Sequence, residues 1–238
     1  LLMMERTISF LSRILDTLAP RSCVMCGKRL AVSEEVICGH CNLFLPRTGY
    51  ASSAYDNDLA RLFWGRIPIE RAASFFFYKP HSDTSRLIYR LKYGGHAEIG
   101  EQLGQMIAEE FATEGFFEGI TTLLPVPLTT QRQRQRGYNQ SIEIARGIRS
   151  VTGLPLLERA LERVTFYGSQ TKKDRWQRNE NVEKSFRLVD AGAVSHQHIL
   201  LIDDIITSGA TLTAAAKEVL QGDNVKVSVL SLGFAKNM

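Results

Sequence analysis

The sequence predicts an α/β protein in which a mainly parallel sheet follows a small metal-binding module. Strand-like segments alternate with segments of helical periodicity over residues 73–232, the pattern of a sheet with helical crossovers. All four cysteines of the 238-residue chain fall within 19 residues near its start. A buried run over residues 199–202 leads into two aspartates and a hydroxyl-rich loop. These three features predict the fold class and two candidate sites.

The composition is that of a globular protein, with 44% hydrophobic and 23% charged residues. It excludes a disordered chain, a collagen-like repeat and a simple coiled coil. No apolar run approaches the roughly 18 residues that a transmembrane helix needs. Residues 1–19 carry four charges, with apolar residues at helical spacing, which favours an amphipathic helix over a secretory signal. We therefore expect a cytoplasmic protein without a membrane span.

The positive charge of the chain is concentrated in one segment. Residues 129–187 hold 13 lysines and arginines against 6 acidic residues, although the net charge of the whole chain is only +4. The remainder of the chain is therefore net negative. Such a basic segment favours an anionic ligand, either a phosphate compound or nucleic acid, but a solvated basic face would give the same count.

The cysteines form two C-x2-C pairs separated by eleven residues: Cys23, Cys26, Cys38 and Cys41. Four thiolates at this spacing can close a tetrahedron around Zn²⁺, which leaves no open position for a catalytic water. Two disulfides are the alternative, and they fit poorly in a chain without a secretory signal. His40 lies inside the second pair and is expected to be a bystander. We predict a helix and a four-cysteine zinc module in residues 1–50 and the α/β domain in residues 51–238, with a polar linker over residues 47–53.

The α/β domain is predicted to contain four strands, four helices and one polar loop. The strands are expected at residues 73–78, 121–126, 198–202 and 226–232, and the helices at residues 84–93, 99–111, 138–151 and 210–220. Residues 165–181 are polar and weakly periodic, which favours a mobile loop.

The third strand carries the candidate active site. Asp203 and Asp204 follow its apolar residues, at the end of a parallel strand where ligands bind. The next segment opens a helix and offers backbone N–H groups and short hydroxyls to an anion: Thr207, Ser208, Gly209, Ala210 and Thr211. Carboxylates beside such a loop suit a sugar phosphate. The chain has no G-x-G-x-x-G, and Glu101 stands where a Walker loop needs lysine.

This segment resembles the phosphoribosyl pyrophosphate (PRPP) signature of type I phosphoribosyltransferases. The whole chain resembles the ComF family of competence-associated proteins, which includes those named GntX. The resemblance rests on the four cysteines, the PRPP motif and three further segments: Leu91-Lys92-Tyr93-Gly94-Gly95, Pro125-Val126-Pro127-Leu128 and the R-x-R-x-R-G-Y-N-Q run from Arg132 to Gln140. It implies a type I phosphoribosyltransferase fold, a central mainly parallel sheet flanked by helices with a hood, preceded by the zinc module.

The resemblance also implies roles for individual residues. Asp203 and Asp204 would hold the ribose hydroxyls, directly or through Mg²⁺, and Thr207 to Thr211 would cradle the 5′-phosphate. Val126, Pro127 and Leu128 would form the pyrophosphate loop. That loop lacks a basic residue after Pro127, so Lys92 or nearby arginines would neutralise the diphosphate. The basic candidates for this role and for a closing loop are Lys92, Arg132, Arg134, Arg136, Lys172, Lys173 and Arg175.

Two functions follow from the resemblance. One is transfer of the phosphoribosyl group from PRPP to a small-molecule acceptor, usually a base nitrogen. The alternative is an accessory protein in DNA uptake, which binds PRPP or single-stranded DNA, or acts with DNA-uptake proteins, without turnover. Tyr138 and Asn139 would contact ligand or pack at their helix. His196 and His198 precede the strand at the wrong end and are expected to be surface residues.

Overall fold

The structure is a computed structural model that describes residues 21–164 and 185–236. The predicted N-terminal helix and the predicted loop at residues 165–181 lie outside those ranges. So do three of the basic candidates, Lys172, Lys173 and Arg175. None of the helices in the described ranges combines the length and hydropathy that crossing a bilayer requires.

The centre of the protein is a four-stranded sheet in which every pair of neighbouring strands is parallel. Its strands are β1 (Ala72–Phe77), β2 (Thr122–Pro125), β5 (His198–Ile206) and β6 (Lys226–Phe234), in the order β1-β6-β5-β2. Two short strands, β3 (Leu161–Arg163) and β4 (Phe186–Leu188), pair antiparallel to form a separate ribbon. The predicted α/β class and the four predicted strands are confirmed.

The described residues form eight helices, two before β1 and six after it. They are α1 (Gly39–Leu43), α2 (Asp58–Arg61), α3 (Asp83–Lys92), α4 (Ala97–Ala112), α5 (Thr130–Arg136), α6 (Gln140–Thr152), α7 (Ala191–Val194) and α8 (Ala210–Val219). The four predicted helices correspond to α3, α4, α6 and α8. Helix α5 was not expected, because its sequence has no apolar residue to mark a helical period, and none of its residues is buried.

The sheet is buried on both faces. Successive residues of its strands contribute to two different apolar clusters: Leu200 and Ile202 belong to one, Ile199 and Leu201 to the other. The first cluster includes buried residues of α3, α4, α6 and the cysteine module, and the second includes those of α2, α7, α8 and the ribbon. The apolar run of β5 is therefore explained by burial on both faces.

Glycines bring α4 and α6 into close contact. A Cβ on Gly104 would lie 2.1 Å from the carbonyl oxygen of Ile144, and one on Gly147 would lie 1.9 Å from that of Glu101. Neither distance is possible for real atoms, so only glycine allows the two backbones to approach this closely. The packing fixes α6 against the sheet, and the N-terminal end of α6 reaches the candidate site.

The segment predicted as a linker pairs with the sheet instead. Arg47 forms an antiparallel bridge with Phe76, and the Phe77 amide donates to the Pro46 carbonyl at 2.8 Å. The Arg47 guanidinium also forms an ion pair with Glu110 of α4 at 3.0 Å. The linker prediction is wrong here. Strand β1 is an edge strand, and the polar segment forms hydrogen bonds with the backbone groups on its open side.

Candidate functional site

The two aspartates lie where β5 loses one of its two partners. The pairing between β2 and β5 ends at Pro125 and Ile202, whereas β6 continues beside β5 to Ile206. Asp203 and Asp204 are thus part of β5, which is four residues longer than predicted because β6 supports it. The side of β5 that faced β2 is open from residue 203 onward, and this opening forms the candidate site.

Asp203 is held by the first turn of α6. Its Oδ1 accepts from the Ser141 hydroxyl at 3.3 Å and from the Asp204 amide at 2.8 Å. Desolvation, together with the adjacent Asp204 carboxylate, raises the pKa of Asp203 to about 7. A carboxyl with this pKa is partly protonated at neutral pH, and a cation bound beside it would favour the charged form.

Asp204 faces the two predicted basic residues. Its Oδ2 lies 2.9 Å from Lys92 Nζ, and Arg136 Nη1 lies 4.0 Å from the same oxygen. All three side chains are largely buried, with at most 20% of each exposed. Arg136 is also oriented by Gln140, whose Oε1 accepts from Nη1 at 2.7 Å. The structure therefore brings Lys92 and Arg136 to the acidic pair.

The predicted phosphate loop joins β5 to α8. Gly209 occupies the N-cap with φ +74°, and no side chain caps the helix at that position. The amides of the first turn line a small concavity that Asp203 and residues 205–212 enclose. Thr207, Ser208 and Ala210 are exposed, and Thr211 is half-buried. The Ala210 amide lies 3.5 Å from the Ser208 hydroxyl, and the loop presents its backbone amides and hydroxyls on the side of Asp203.

Two residues that the sequence did not single out hold this loop in place. Arg66 Nη1 donates to the Ser208 carbonyl at 3.0 Å. The buried Phe63 packs so closely that a Cβ on Gly209 would lie 3.1 Å from Cε1 of its ring. Both belong to the segment after α2, which is more than 140 positions away in sequence, and no local pattern relates it to the loop.

The predicted pyrophosphate loop begins directly after β2. Val126 is buried; its amide donates to the Ile202 carbonyl at 2.9 Å, and its carbonyl accepts from Asn139 Nδ2 at 3.0 Å. Its backbone groups are therefore already bonded. Pro127 and Leu128 are half-buried.

Tyr138 and Asn139 both form side-chain hydrogen bonds within the protein. The Tyr138 hydroxyl donates to the Leu91 carbonyl at 2.6 Å. Asn139 Oδ1 accepts from the Ser141 amide and caps α6. The Y-N pair therefore ties the end of α3, the segment after β2 and the start of α6 together around the acidic pair.

The remaining arginines near the site differ in exposure. Arg132 and Arg134 are exposed on α5. Arg163 of β3 is half-buried, and desolvation with the nearby charge of Arg132 lowers its pKa, although Asp203 acts in the opposite direction. Arg163 was missed because a three-residue strand has no readable pattern.

His196 is exposed, as expected, and His198 is half-buried with both ring nitrogens near polar groups of the protein. Its Nε2 lies 2.8 Å from the Ser228 hydroxyl and its Nδ1 lies 3.1 Å from the Gly119 carbonyl. Desolvation lowers the pKa of His198, which favours the neutral ring. It begins β5 at the end opposite the acidic pair, so it takes no part in the candidate site.

The four cysteines converge on one point. Their sulfur atoms all lie within 4.8 Å of one another, and Cys26 and Cys38 are 3.8 Å apart. Sulfurs in a tetrahedron at about 2.3 Å from Zn²⁺ are roughly 3.8 Å apart, so the cluster fits a metal ion. The cysteines are free thiols in the structure, and His40 lies outside the cluster, exposed and stacked on Phe44.

Backbone amides surround the sulfur of Cys23. Burial acts to raise its pKa, but hydrogen bonds from the backbone of Cys26, Cys38 and Met25 lower it to about 7. Burial and the neighbouring thiols raise the pKa of Cys41. Four sulfurs this close together cannot all carry a negative charge on their own. A cation between them would stabilise the thiolates.

No protein-family model matches the chain. Among curated proteins, "DNA utilization protein YhgH" of Salmonella typhimurium is 25% identical over 223 residues, which cover 90% of this chain and 96% of that protein. "Competence protein F" of Haemophilus influenzae is 31% identical over 96 residues, 40% of this chain and 42% of that protein. "Competence protein ComFC" of Bacillus subtilis is 28% identical over 144 residues, 60% of this chain and 56% of that protein.

These relatives support the resemblance to the ComF family. Two solved structures are also similar: an allosteric regulatory enzyme of purine biosynthesis, with 23% identity and a TM-score of 0.37, and a glutamine PRPP amidotransferase from B. subtilis, with 21% identity and a TM-score of 0.41. The chain spans 25% and 30% of those enzymes, and likeness at this level carries no argument about function. The parallel sheet, the helices on both faces and the loop between β5 and α8 make this chain an α/β protein.

Proposed function

We propose that this protein binds PRPP with Mg²⁺ and transfers its phosphoribosyl group to a nitrogenous base or a related acceptor. The observation that carries the proposal is the meeting of Asp203 and Asp204 with the amides of the Gly209 loop at one end of β5. Carboxylates that accept from vicinal hydroxyls and a helix N-terminus that binds an anion together match a ribose 5-phosphate.

Each part of PRPP has a proposed partner. Asp203 and Asp204 would accept from the ribose hydroxyls, and the loop from Thr207 to Thr211 would donate to the 5′-phosphate. Lys92 and Arg136, which pair with Asp204 in this structure, would instead bind the diphosphate, beside Val126, Pro127 and Leu128. When bound, Mg²⁺ would neutralise diphosphate charge, and the carboxylates and hydroxyls present here are ligands that it prefers.

The proposed reaction is a substitution at the anomeric carbon. A ring nitrogen of the acceptor forms a bond to that carbon, and the bond from the carbon to the diphosphate oxygen breaks. The electron pair leaves with pyrophosphate, and the acceptor releases its N–H proton to solvent. Positive charge develops on the ribose ring, which the acidic pair stabilises, while Lys92 and Arg136 stabilise the leaving group.

We also propose that the cysteine cluster holds one structural Zn²⁺ and that residues 1–50 form its module. Four thiolates at a common centre, with backbone N–H groups directed at Cys23, support this assignment. The site has no open ligand position, so the metal would stabilise the fold and take no part in the transfer.

The test incubates the full chain, as purified with its metal, with PRPP, Mg²⁺ and a panel of bases while pyrophosphate release is followed. Release that depends on both Mg²⁺ and one of the bases is expected, with at least a tenfold loss in Asp204→Asn. Calorimetry with PRPP and Mg²⁺ separates binding from turnover. If wild-type protein shows no PRPP binding, the proposed function is wrong.

The names of the relatives favour a second candidate function. "DNA utilization" and "competence" describe handling of DNA, so the alternative is an accessory protein that binds PRPP or single-stranded DNA, or acts with DNA-uptake proteins, without turnover. The basic segment at residues 129–187 would supply the DNA contacts. PRPP binding without pyrophosphate release from any base would favour this candidate.

A further inference from the structure

A second cleft, of about 1160 Å³, adjoins the acidic pair. One wall is the first cysteine loop at residues 22–27, and the other is α3 with the turn that follows it. Lys92 and Ile205 lie at the inner end of the cleft, and Ile205 also borders the concavity of the phosphate loop. The cleft therefore lies beside the proposed phosphoribosyl site, and its volume is large enough for a small-molecule ligand.

Two tyrosines form an aromatic surface in this cleft. The rings of Tyr89 and Tyr93 lie one helical turn apart with centroids 5.1 Å from each other, and 63% and 42% of the two residues are exposed. The Arg136 guanidinium lies 5.6 Å from the Tyr93 ring centroid and also approaches Asp204. A planar heterocycle can stack on exposed aromatic rings such as these, which lie beside the proposed ribose site.

The charged groups of the cleft favour an anionic ligand. Arg86 and Arg90 both line it, and Arg86 Nη1 donates to the Met25 carbonyl at 3.3 Å across the two walls. Two carboxylates, Glu35 and Glu98, also line the cleft, against the four basic residues Arg21, Arg86, Arg90 and Lys92. Within residues 21–164 and 185–236, Arg90 has no ion-pair partner, so its charge is available to a ligand.

We propose that this cleft is the acceptor site and that the acceptor is a nitrogen heterocycle with a negatively charged substituent. The heterocycle stacks on Tyr89 and Tyr93, its anionic group meets Arg90, and its nitrogen points toward the ribose held at Asp203 and Asp204. The first cysteine loop then forms a wall of the acceptor site. This inference rests on the proposed function, because only PRPP at the acidic pair gives the heterocycle something to attack.

Two pairs of probes test the inference by calorimetry on the full chain: nicotinate against nicotinamide, and orotate against uracil. The members of each pair differ chiefly in a carboxylate. We expect the anionic member to bind at least fivefold more tightly, and Arg90→Gln to remove that preference. Tyr89→Leu should weaken all binding by about fivefold or more, since stacking on an aromatic side chain contributes strongly to base affinity.

Tyr55→Leu is the matched control, because Tyr55 is 69% exposed and does not line the cleft. PRPP titrations on the same proteins keep the two proposals apart, since Tyr89 does not contact the acidic pair. Normal PRPP binding with no bound heterocycle, or with heterocycle binding unchanged in Tyr89→Leu, overturns the acceptor cleft alone. Binding of an eight-nucleotide single strand that requires Tyr89, with no bound heterocycle, assigns the cleft to nucleic acid and also overturns it.

Discussion

Gly209 begins α8 in a left-handed conformation, directly against the ring of Phe63. Two properties of this position require glycine. A side chain would adopt an unfavourable φ, and a Cβ would press on a buried aromatic ring at 3.1 Å. The loop amides can only reach an anion if the backbone keeps this shape.

We therefore expect Gly209→Ala to lower the free energy of unfolding by about 1–2 kcal/mol, the usual cost of a left-handed residue with a Cβ. Gly209→Val should also abolish PRPP binding, because its branched side chain fills the loop. Calorimetry and urea unfolding measure the two effects. Gly153→Ala is the matched control: Gly153 has φ +71° with no atom within 4 Å, so it should lose stability and keep PRPP affinity. Unaltered PRPP affinity in a folded Gly209→Val protein would remove the loop from the site.

The raised pKa of Asp203 predicts that the stability of the protein depends on pH. This pKa is raised from an ordinary value of 3.8 to about 7, chiefly by desolvation and by Asp204. Between these values the folded protein binds more protons than the unfolded chain, so the free energy of unfolding falls as pH rises through this window. In Asp203→Asn the group cannot ionise.

We expect the wild-type melting temperature to fall more steeply than that of Asp203→Asn as pH rises from about 5 to 7. Differential scanning calorimetry without Mg²⁺ gives the comparison. Taking the difference between the two proteins removes the contribution of the cysteine cluster, which both share. Parallel melting curves across this range would show that the pKa of Asp203 is close to its ordinary value.

The residues of the site that the sequence predicted are those that lie close together along the chain. Asp203, Asp204 and Gly209 occupy one segment, where strand, acids, loop and helix follow in order. Ser141 and Arg163 were missed because their nearness to Asp203 depends on how α6 and β3 pack, which no local spacing encodes. The resemblance pointed to Lys92 and Arg136, and the structure places both at Asp204.

At the scale of elements, the spacing of the cysteines predicted the cysteine module. It did not predict how the module packs on the α/β domain. Its buried residues join the same apolar cluster as α3 and α4, and Arg86 of α3 donates to the Met25 carbonyl of the first cysteine loop. The shared core couples the cysteine cluster to α3, which ends at Lys92.

Cys26→Ser should therefore lose most of its Zn²⁺ and lower the free energy of unfolding of the whole protein by about 2 kcal/mol or more. Elemental analysis and urea unfolding give the two quantities, and hydrogen exchange in α3 should increase. His40→Ala should retain about one Zn²⁺ per chain, because His40 is outside the cluster. Wild-type protein that contains no metal and two disulfides would contradict the zinc assignment.

Across the whole molecule, burial on both faces explains why the sheet was predictable and the helix α5 was not. Every strand of the sheet is apolar enough to be recognised, because each contributes to both clusters. Helix α5 has no buried residue and takes its form from the Thr129 cap and from Gly137, with φ +85°, at its C-terminal end. It carries Arg132 and Arg134 into solvent between β2 and α6, within the basic segment.

The basic segment can serve either the diphosphate of PRPP or nucleic acid. If its arginines act first on the diphosphate, PRPP with Mg²⁺ should displace single-stranded DNA, and Arg132→Gln with Arg134→Gln should weaken both ligands. Arg149→Gln is the matched control, because Arg149 is equally exposed in the same segment but lies at the far end of α6. A fluorescence titration with a short labelled strand at two salt concentrations counts the phosphates neutralised, at a log–log slope of about 0.7 for each. DNA binding that PRPP leaves unchanged, and that Arg149→Gln weakens as much as the α5 variants do, would assign the segment to nucleic acid.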